Sequence, residues 1–324
     1  MGYKISAIGK KQIQEERMFK DTSKFKTLKQ VLTEGPELVP CVYDCLSARI
    51  MEDIGFKAMC LSGGSVAAAY VGVPDIGLVS FAEVKDVVTR ITARANIPMI
   101  VDIDTGYGNE LNIIRTCEEM AQAGAMAVHL EDQVSPKRCG HIKGKQVIPR
   151  EDYFKKLRAA HYALEGTDCL LIARTDSYHT DGVEEAMRRN YGSLEAGADI
   201  TFTEGTEKME DIIRIGKEIP GWKMFDMLYG GASPRISFDE LVEYGYRLVT
   251  VPMASVGGAV YGMTDFGKHL FKDKNDYYIA EHDPSTEDET PFAIFEMMQI
   301  DKWLGTAKLF NDNINMMSRI KPQD

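Results

Sequence analysis

Short apolar segments recur along the chain and alternate with longer segments in which apolar residues have helical spacing. Eight of the short segments are rich in aliphatic and β-branched residues, which favours strands. They cover 38–43, 58–62, 99–103, 126–131, 169–174, 200–204, 223–228 and 248–252. Between them, the spacing predicts helices over 81–95, 110–123, 150–164, 182–196, 208–218 and 237–244. Strand and helix therefore alternate through most of the chain.

The fold class follows from this alternation. The strand segments are almost uniformly apolar, as in parallel strands that helices cover. Eight successive strand–helix units predict an α/β fold, a closed (β/α)8 TIM barrel. An open doubly wound sheet is the alternative, but no G-x-G-x-x-G fingerprint follows the first strand. We expect an N-terminal arm over 1–23, the barrel over 24–275, and a C-terminal linker and helices over 276–324.

Composition excludes several classes of partner. The formal net charge of -11 argues against nucleic acid, because proteins that bind its backbone neutralise phosphates with clustered Lys and Arg. No apolar run approaches the roughly 18 residues that span a bilayer, and the N-terminus lacks the apolar core of a signal peptide, so we expect no membrane partner. The six cysteines form no Cys-x-x-Cys pairs, which fits reduced thiols in the cytoplasm.

Polar residues gather where the predicted strands end, which in a (β/α)8 barrel is the mouth that carries the active site. Ser62, Gly63 and Gly64 follow the second strand and form a turn whose N–H groups suit a carboxylate or phosphate oxygen. Asp102 and Asp104 end the third strand, where alternation directs both side chains to one side. The other polar residues at the mouth are Asp75 in the loop after the second strand, His129 and Glu131 on the fourth, Arg174 on the fifth and Glu204 on the sixth.

Each of these residues also has a purely structural interpretation. Asp102 and Asp104 can cap the next helix, His129 can be a core histidine, and Arg174 can pair with a rim carboxylate. Their joint occurrence is the stronger argument, because acids that converge on one mouth repel each other unless a divalent cation binds them. Carboxylate oxygens favour Mg²⁺, or else Mn²⁺, while His129 and His141 leave zinc as an alternative.

The segment EDQVSPKRCGH over 131–141 follows the fourth strand directly and combines acids, two cations, a thiol and an imidazole. Lys137 and Arg138 beside Cys139 are expected to lower the pKa of the thiol and prepare it for proton transfer. Gly140 permits a tight turn and a close approach to a ligand. The segment is therefore interpreted as a catalytic loop, and the alternative is a solvated basic loop with an incidental cysteine.

Five motifs occur in order along the chain: SGG at 62–64, VDIDTGYG at 101–108, HLEDQ at 129–133, KRCGH at 137–141 and ARTD at 173–176. Together they resemble the isocitrate lyase and phosphoenolpyruvate mutase superfamily, with 2-methylisocitrate lyase and 2,3-dimethylmalate lyase as the most similar branches. The resemblance covers about residues 25–310. It implies a homotetramer whose neighbouring subunits exchange a C-terminal helix. It also implies magnesium held directly by Asp102 and through water by Asp75, Asp104 and Glu131.

The resemblance further implies a carbon–carbon lyase whose partner is a small carboxylic acid. The substrate would be a 2-hydroxy di- or tricarboxylate that is split into a 2-oxo acid such as pyruvate and a second carboxylic acid. The loop with Cys139 would close over the substrate, and the thiol would donate the proton. The general base would be Tyr43 or a metal-bound water.

The other implied roles concern charge and binding. The carboxylate oxygens would be fixed by Ser62, Gly63, Gly64 and Arg174, and the developing negative charge would be stabilised by Arg174, Arg138 and His141. Glu131 would serve both the catalysis and the metal. The remaining implied substrate contacts are Lys137, His129, Gly140, Glu204 and Asp226.

Departures from the family pattern concern the substrate. Asp226 and Leu228 stand where relatives carry an Asn and a hydroxyl residue that bind the departing carboxylate, and Tyr229 replaces a common Glu, while Thr203 replaces a common proline. A carboxylate is a poor partner for a carboxylate, so a smaller 2-hydroxy dicarboxylate, an oxaloacetate-type hydrolysis or another specificity stays open. Phosphoenolpyruvate mutase or phosphonopyruvate hydrolase activity is a further alternative, which the Cys and His of KRCGH disfavour. A noncatalytic paralogue is the least favoured.

Overall fold

Eight parallel strands close into a barrel in chain order in the computed structural model, which describes residues 25–282 and 293–317. The strands are β1 Glu37–Val42, β2 Met59–Leu61, β3 Met99–Asp102, β4 Ala127–Glu131, β5 Leu170–Thr175, β6 Ile200–Thr203, β7 Trp222–Asp226 and β8 Leu248–Val251. Pairing of Glu37 with Leu248 joins β1 to β8. The predicted (β/α)8 barrel is confirmed, whereas helix exchange between subunits stays a prediction.

The chain divides into a barrel unit over 22–263 and a second unit that includes 264–324. Helices of the barrel unit are α1 Leu28–Glu34, α2 Cys45–Ile54, α3 Gly63–Val66, α4 Phe81–Thr92, α5 Glu110–Gln122, α6 Arg150–Leu164, α7 Ser177–Asp181, α8 Val183–Glu195, α9 Met209–Glu218 and α10 Phe238–Glu243, with a π-helical turn over Ala67–Val71. Helix α11, Ala254–Asp273, begins in this unit. No helix within 25–282 or 293–317 is both long enough and apolar enough to cross a bilayer.

The second unit contains the end of α11 and the helices α12 Tyr277–His282, α13 Ala293–Met297 and α14 Ile300–Met317. The ring of Tyr278 stacks on those of His269 and His282, with centroids 3.6 and 4.0 Å apart. The predicted N-terminal arm over 1–23 and most of the expected linker, 283–292, lie outside the described residues.

Capping boxes start several of the helices that follow the strands. At α4, the Ser80 hydroxyl accepts from the backbone N–H of Glu83, whose carboxylate accepts from the Ser80 N–H. The same reciprocal arrangement joins Asn109 to Asn112 at α5. These bonds satisfy N–H groups that the first turn leaves unpaired, so each loop at the mouth ends at a defined residue.

Alternation along the strands places polar residues inside the barrel mouth. On β4, Val128 and Leu130 pack outward against the helices, so His129 and Glu131 face inward. The interior below them is apolar and includes Ile100, Ile172 and Phe202. The buried Leu28 and Leu32 of α1 belong to the same interior cluster. The barrel is therefore solid below, and its inward polar side chains converge at the carboxyl ends of the strands.

Candidate active site

A cavity of about 380 Å³ lies at the mouth of the barrel. Many of the residues singled out from the sequence line it: Ser62, Gly64, Asp75, Asp102, His129, Lys137, Cys139, Gly140, His141, Arg174, Glu204 and Asp226. Asp104 and Glu131 are buried beside the cavity, and Gly63 is buried against the side chains of Asp102 and Asp104. The structure does not place Tyr43 or the exposed Arg138 on the cavity wall.

Asp75 and Asp102 line one end of the cavity, with Asp104 and Glu131 buried beside it, and these four acids are here called the carboxylate end. The turn over 62–64 lies directly against it. A Cβ atom added at Gly63 would come 3.1 Å from Oδ2 of Asp102, and one at Gly64 would come 3.3 Å from Oδ2 of Asp75. Glycine therefore lets the backbone approach the carboxylates closely. At the end of β3, Asp104 adopts a positive φ of 48°, and its N–H donates to Oδ1 of Asp102 over 3.0 Å.

Lys137 is the cation that the loop supplies to the carboxylate end. Its Nζ lies 2.6 Å from Oδ1 of Asp75 and 2.9 Å from Oδ1 of Asp104, and its side chain is buried. Burial opposes the charge, but the surrounding carboxylates, Asp104 first among them, hold the pKa of Lys137 well above its usual range. Burial in turn raises the pKa of Asp104 to about 6.

The carboxylate end fits a hard divalent cation. Glu131 is fully buried, and neither of its carboxylate oxygens has a hydrogen-bond partner among the described residues. The nearest guanidinium nitrogen, Nη1 of Arg174, is 3.4 Å away, and burial raises the pKa of Glu131 well above its usual range. Buried oxygens without partners carry a large desolvation cost, which a cation or its bound water would remove. Asp102, Asp104 and Asp75 supply further oxygens of the same chemical type.

The loop after β4 brings Cys139 to the cavity wall. The backbone N–H of Cys139 donates to the carbonyl oxygen of Asp75 over 3.1 Å, which joins this loop to the loop after β2. Burial raises the pKa of the Cys139 thiol. The expectation of a lowered thiol pKa is therefore wrong, because burial outweighs the charges and the two basic neighbours point elsewhere. Lys137 reaches the carboxylate end, and Nη1 of Arg138 lies 3.4 Å from the carbonyl oxygen of Lys143.

A raised pKa keeps the Cys139 thiol protonated at neutral pH. A thiol in this state can donate a proton but is a poor nucleophile. The position and protonation of Cys139 therefore suit an acid.

The opposite end of the cavity, here called the His141 end, contains His141, Glu204, Asp226 and Leu228. Nδ1 of His141 accepts from the backbone N–H of Ala232 over 3.0 Å, so the ring proton sits on Nε2. That nitrogen lies 3.0 Å from Oε1 of Glu204. Despite burial, Arg174 and His141 lower the pKa of Glu204 to about 2.

Asp226 is the third ionisable group at the His141 end. Its carboxylate accepts from the Thr250 hydroxyl, and burial together with the nearby Glu204 raises its pKa to about 7. One ligand atom from each of His141, Glu204 and Asp226 fits within 4.8 Å, a spacing that a metal ion could use. The Nε2 proton of His141 faces Glu204, so we interpret this group as an imidazole–carboxylate pair beside a second acid rather than as a metal site.

Arg174 connects the two ends of the cavity. Its Nη1 lies 3.4 Å from Oε2 of Glu131 and 3.3 Å from Oε2 of Glu204. Nε and Nη2 donate to the Asp176 carboxylate over 2.8 and 3.1 Å. His129 lies between the ends, with Nδ1 3.4 Å from Oδ1 of Asp102, and burial lowers its pKa. These contacts surround the cavity with fixed charges.

Two polar residues that fix this geometry were not predicted to do so from the sequence. Asp176 belongs to the ARTD motif but received no role, although it is fully buried and holds Arg174. Lys145 is a buried lysine that contacts the loop, Asp176 and His179. The motif pointed to Asp176, but the sequence around Lys145 contains no comparable signal.

Comparisons with known proteins agree with the fold and the motifs. A family model described as phosphoenolpyruvate phosphomutase matches residues 25–271. The chain is 37% identical to a 2,3-dimethylmalate lyase of Eubacterium barkeri over 75% of this chain and 83% of that protein. It is 32% identical to a 2-methylisocitrate lyase of Bacillus subtilis over 86% and 92%, respectively.

A solved structure adds to this agreement. An oxaloacetate acetylhydrolase in complex with 3,3-difluorooxalacetate superposes with a TM-score of 0.80 at 29% identity, covering 90% of this chain and 97% of that one. The family model covers well over half of the chain, and the relatives are aligned over most of their own length. The chain therefore belongs to the phosphoenolpyruvate mutase and isocitrate lyase superfamily, and the expected enzyme class, a carbon–carbon lyase, is confirmed.

Proposed function

We propose that this chain is a magnesium-dependent lyase that splits a 2-hydroxy di- or tricarboxylate into a 2-oxo acid such as pyruvate and a second carboxylic acid. Substrates of the 2,3-dimethylmalate and 2-methylisocitrate type are the first candidates. The observation that carries the proposal is the protonated thiol of Cys139 on the wall of a cavity that also presents the carboxylate end. Relatives named for these two reactions support it.

Magnesium, or else manganese, would be held at the carboxylate end. We expect Asp102 to bind it directly, and Asp75, Asp104 and Glu131 to bind through water. A divalent cation bound there would polarise the hydroxyl and carboxylate oxygens of the substrate and neutralise charge during cleavage. Lys137 already contacts Asp75 and Asp104, and its positive charge would continue to offset part of their negative charge.

The residues around the cavity suit the charge changes of the cleavage. Loss of the substrate hydroxyl proton to a base turns that oxygen into the carbonyl of the 2-oxo acid. The electron pair of the broken carbon–carbon bond then passes to the carbon next to the second carboxylate. The Arg174 guanidinium and the Nε2–H group of His141 are hydrogen-bond donors on the cavity wall and would stabilise the negative charge. The Cys139 thiol would finally give its proton to the carbon and release the second acid.

The His141 end favours a substrate with fewer carboxylates. Asp226 would repel a carboxylate whenever it is ionised, and Leu228 offers no hydrogen bond. The cavity wall is also largely apolar, with Met224, Met253 and Val256 among its residues. We therefore place alkyl-substituted 2-hydroxy dicarboxylates ahead of tricarboxylates.

Oxaloacetate hydrolysis is the second candidate function. The similarity to a solved oxaloacetate acetylhydrolase, at a TM-score of 0.80, favours it. Both reactions need a bound 2-oxo or 2-hydroxy dicarboxylate, so the same cavity can support either one. The two differ in whether water is consumed.

A single assay on the purified full chain separates these functions. Magnesium is supplied with 2,3-dimethylmalate, other substituted malates, 2-methylisocitrate or isocitrate, and the released pyruvate or glyoxylate is measured. Oxaloacetate and phosphonopyruvate are run beside them, with chelator in the control. Release of a 2-oxo acid from one hydroxy acid is the expected result. If no hydroxy acid releases a 2-oxo acid but oxaloacetate or phosphonopyruvate is turned over, the lyase proposal is overturned.

We further propose a homotetramer that works in the cytoplasm without nucleic acid or membrane partners. The family resemblance supports the assembly, and the free cysteines of the described chain support a reducing compartment. Light scattering of the eluting protein counts the subunits. A fully active monomer would contradict the assembly.

A further inference from the structure

We propose that Lys145 is a positioning residue that holds the 137–141 loop over the cavity by joining the Gly140 carbonyl oxygen to the Asp176 carboxylate. The expected effect of Lys145 on turnover rests on the proposed function. Its expected effect on the position of the loop is independent of that function, because the position can be measured without a substrate.

Lys145 uses all of its donors inside the protein. Its side chain is 2% exposed. The ammonium group donates to the Gly140 carbonyl oxygen, lies 3.0 Å from Oδ1 of Asp176 and lies 3.0 Å from Nδ1 of His179. An ammonium group has three N–H donors and no acceptor, so these contacts satisfy it fully. Nδ1 of His179 must then be the acceptor, and its Nε2 faces Oε1 of Glu207 over 3.2 Å.

Asp176 gives Lys145 a rigid anchor. It is fully buried directly after β5, and its carboxylate already accepts two hydrogen bonds from Arg174. Its backbone N–H donates to Oδ1 of Asp132 over 2.8 Å, and Asp132 is held by Arg189 at 2.9 Å. Lys145 therefore joins the loop to a buried, hydrogen-bonded network on the barrel rim.

Gly140 is the point where the loop comes nearest to the charged residues of the site. A Cβ atom added there would overlap the side chains of Glu204 and Arg174. Its neighbours on either side are Cys139, which lines the cavity, and His141, which contacts Glu204. Fixing the Gly140 carbonyl oxygen consequently fixes the thiol and the imidazole together.

The loop has room to move away from the site. The backbone N–H of Val134 donates to the carbonyl oxygen of Gln146 over 2.8 Å, which marks the base of the loop. Beyond this base, residues 140–145 also line a second cavity of about 780 Å³, so space next to the loop is not filled by protein. Lys145 stands at the base and reaches back to Gly140. Its three contacts thus oppose movement of the loop into that second cavity.

Alkylation of Cys139 measures the position of the loop. Wild type, Lys145→Met, Lys145→Arg and Lys143→Met are treated with iodoacetamide, and mass spectrometry follows Cys139 relative to the exposed Cys45 of the same molecule. Lys143 is exposed on the same loop, so Lys143→Met removes an equal charge without these contacts. Loss of Lys145 should raise the Cys139 rate about tenfold, because hydrogen bonds to a charged group are lost.

The two controls separate the contacts from charge alone. Lys143→Met should leave the alkylation ratio unchanged, and Lys145→Arg should restore most of the protection because it keeps charged N–H donors. Removing a nearby cation disfavours the thiolate, so electrostatics alone would slow the reaction. In turnover, Lys145→Met should lower kcat about tenfold with a smaller change in KM, since the loop acts after binding.

Equal alkylation ratios in wild type and Lys145→Met would overturn the proposal, even if turnover fell. If Lys145→Met does not fold, Lys145→Ala provides the test, because the alanine side chain has no N–H donor either. A Lys145→Ala ratio equal to that of wild type would likewise overturn the proposal. Faster alkylation without turnover of any hydroxy acid by wild type would support the role of Lys145 and overturn the proposed lyase function instead.

Discussion

At the carboxylate end of the cavity, Lys137 contacts two of the four acids and Arg174 comes within 3.4 Å of a third, whereas at the His141 end both Arg174 and His141 lie within 3.3 Å of Glu204. Arg174 is nearly equidistant from Glu131 and Glu204, but only Glu204 also has an imidazole beside it, with Oε1 3.0 Å from Nε2 of His141. The first end therefore has an excess of negative charge that suits a cation. The second end is more evenly balanced and adjoins apolar wall, so its residues can decide which substrate fits.

Asp102→Ala tests the carboxylate end and has the largest expected effect. It should abolish magnesium-dependent turnover, with kcat at least about a thousandfold lower, because the ligand that we expect to bind directly is lost. Calorimetric titration with magnesium checks the metal affinity. The matched control, Asp226→Asn, should retain the affinity. Normal magnesium affinity in Asp102→Ala would contradict the assignment of metal binding to the carboxylate end.

Cys139→Ser tests the proton donor, which lies on the wall between the ends. Turnover should fall by roughly a hundredfold to ten-thousandfold, the usual contribution of a general acid. Magnesium and product should still bind, because serine keeps the shape of the side chain. Cys45→Ser, at an exposed cysteine, is the control. Near-normal kcat in Cys139→Ser would exclude the acid role.

Asp226→Asn tests the His141 end through substrate choice. It should raise kcat/KM for a tricarboxylate relative to a malate about tenfold, because a like charge beside the substrate is removed. Competition between the two substrates measures this ratio directly. Asp239→Asn makes the same change at an exposed position and should leave the ratio unchanged. An unaltered ranking in Asp226→Asn would show that specificity is decided elsewhere.

The same variant should produce a smaller effect on stability. In the folded protein the pKa of Asp226 is raised to about 7, whereas in the unfolded chain it has its ordinary value. The folded state therefore holds the proton more tightly, and this contribution to stability is lost as pH rises through 7. We therefore compare the Tm of metal-free Asp226→Asn with that of metal-free wild type at two pH values. The difference, variant minus wild type, should be about 2–4 °C larger at alkaline pH than at mildly acidic pH. The same Tm difference between variant and wild type at both pH values would exclude a raised pKa of Asp226.

Much of the barrel and of the cavity could be predicted from local sequence. Apolar strands with helices between them define the closed sheet, and the period of two places His129, Glu131 and Arg174 on the inner face. Those three residues lie on β4 and β5 themselves, so the register of each strand determines where they lie. The predictions were accurate wherever the conformation of a short segment is determined by its own residues.

Contacts between distant segments were not accessible in this way. Lys137, which was expected to lower the pKa of the neighbouring Cys139 thiol, instead reaches Asp75 at a separation of 62 residues, and burial raises that pKa. Lys145 similarly meets Asp176 and His179 at separations of 31 and 34 residues. No local pattern encodes such meetings, because they depend on how the loops pack after the barrel has closed.

The double attachment to Asp75 has a consequence for how the loop can move. Asp75 holds the loop twice, through its carbonyl oxygen to the N–H of Cys139 and through its carboxylate to Lys137. The loop with the proton donor Cys139 is thus attached directly to Asp75, one of the expected magnesium ligands. Any displacement of Asp75 should therefore move the loop as well, so we expect this acid and the proton donor to change position together.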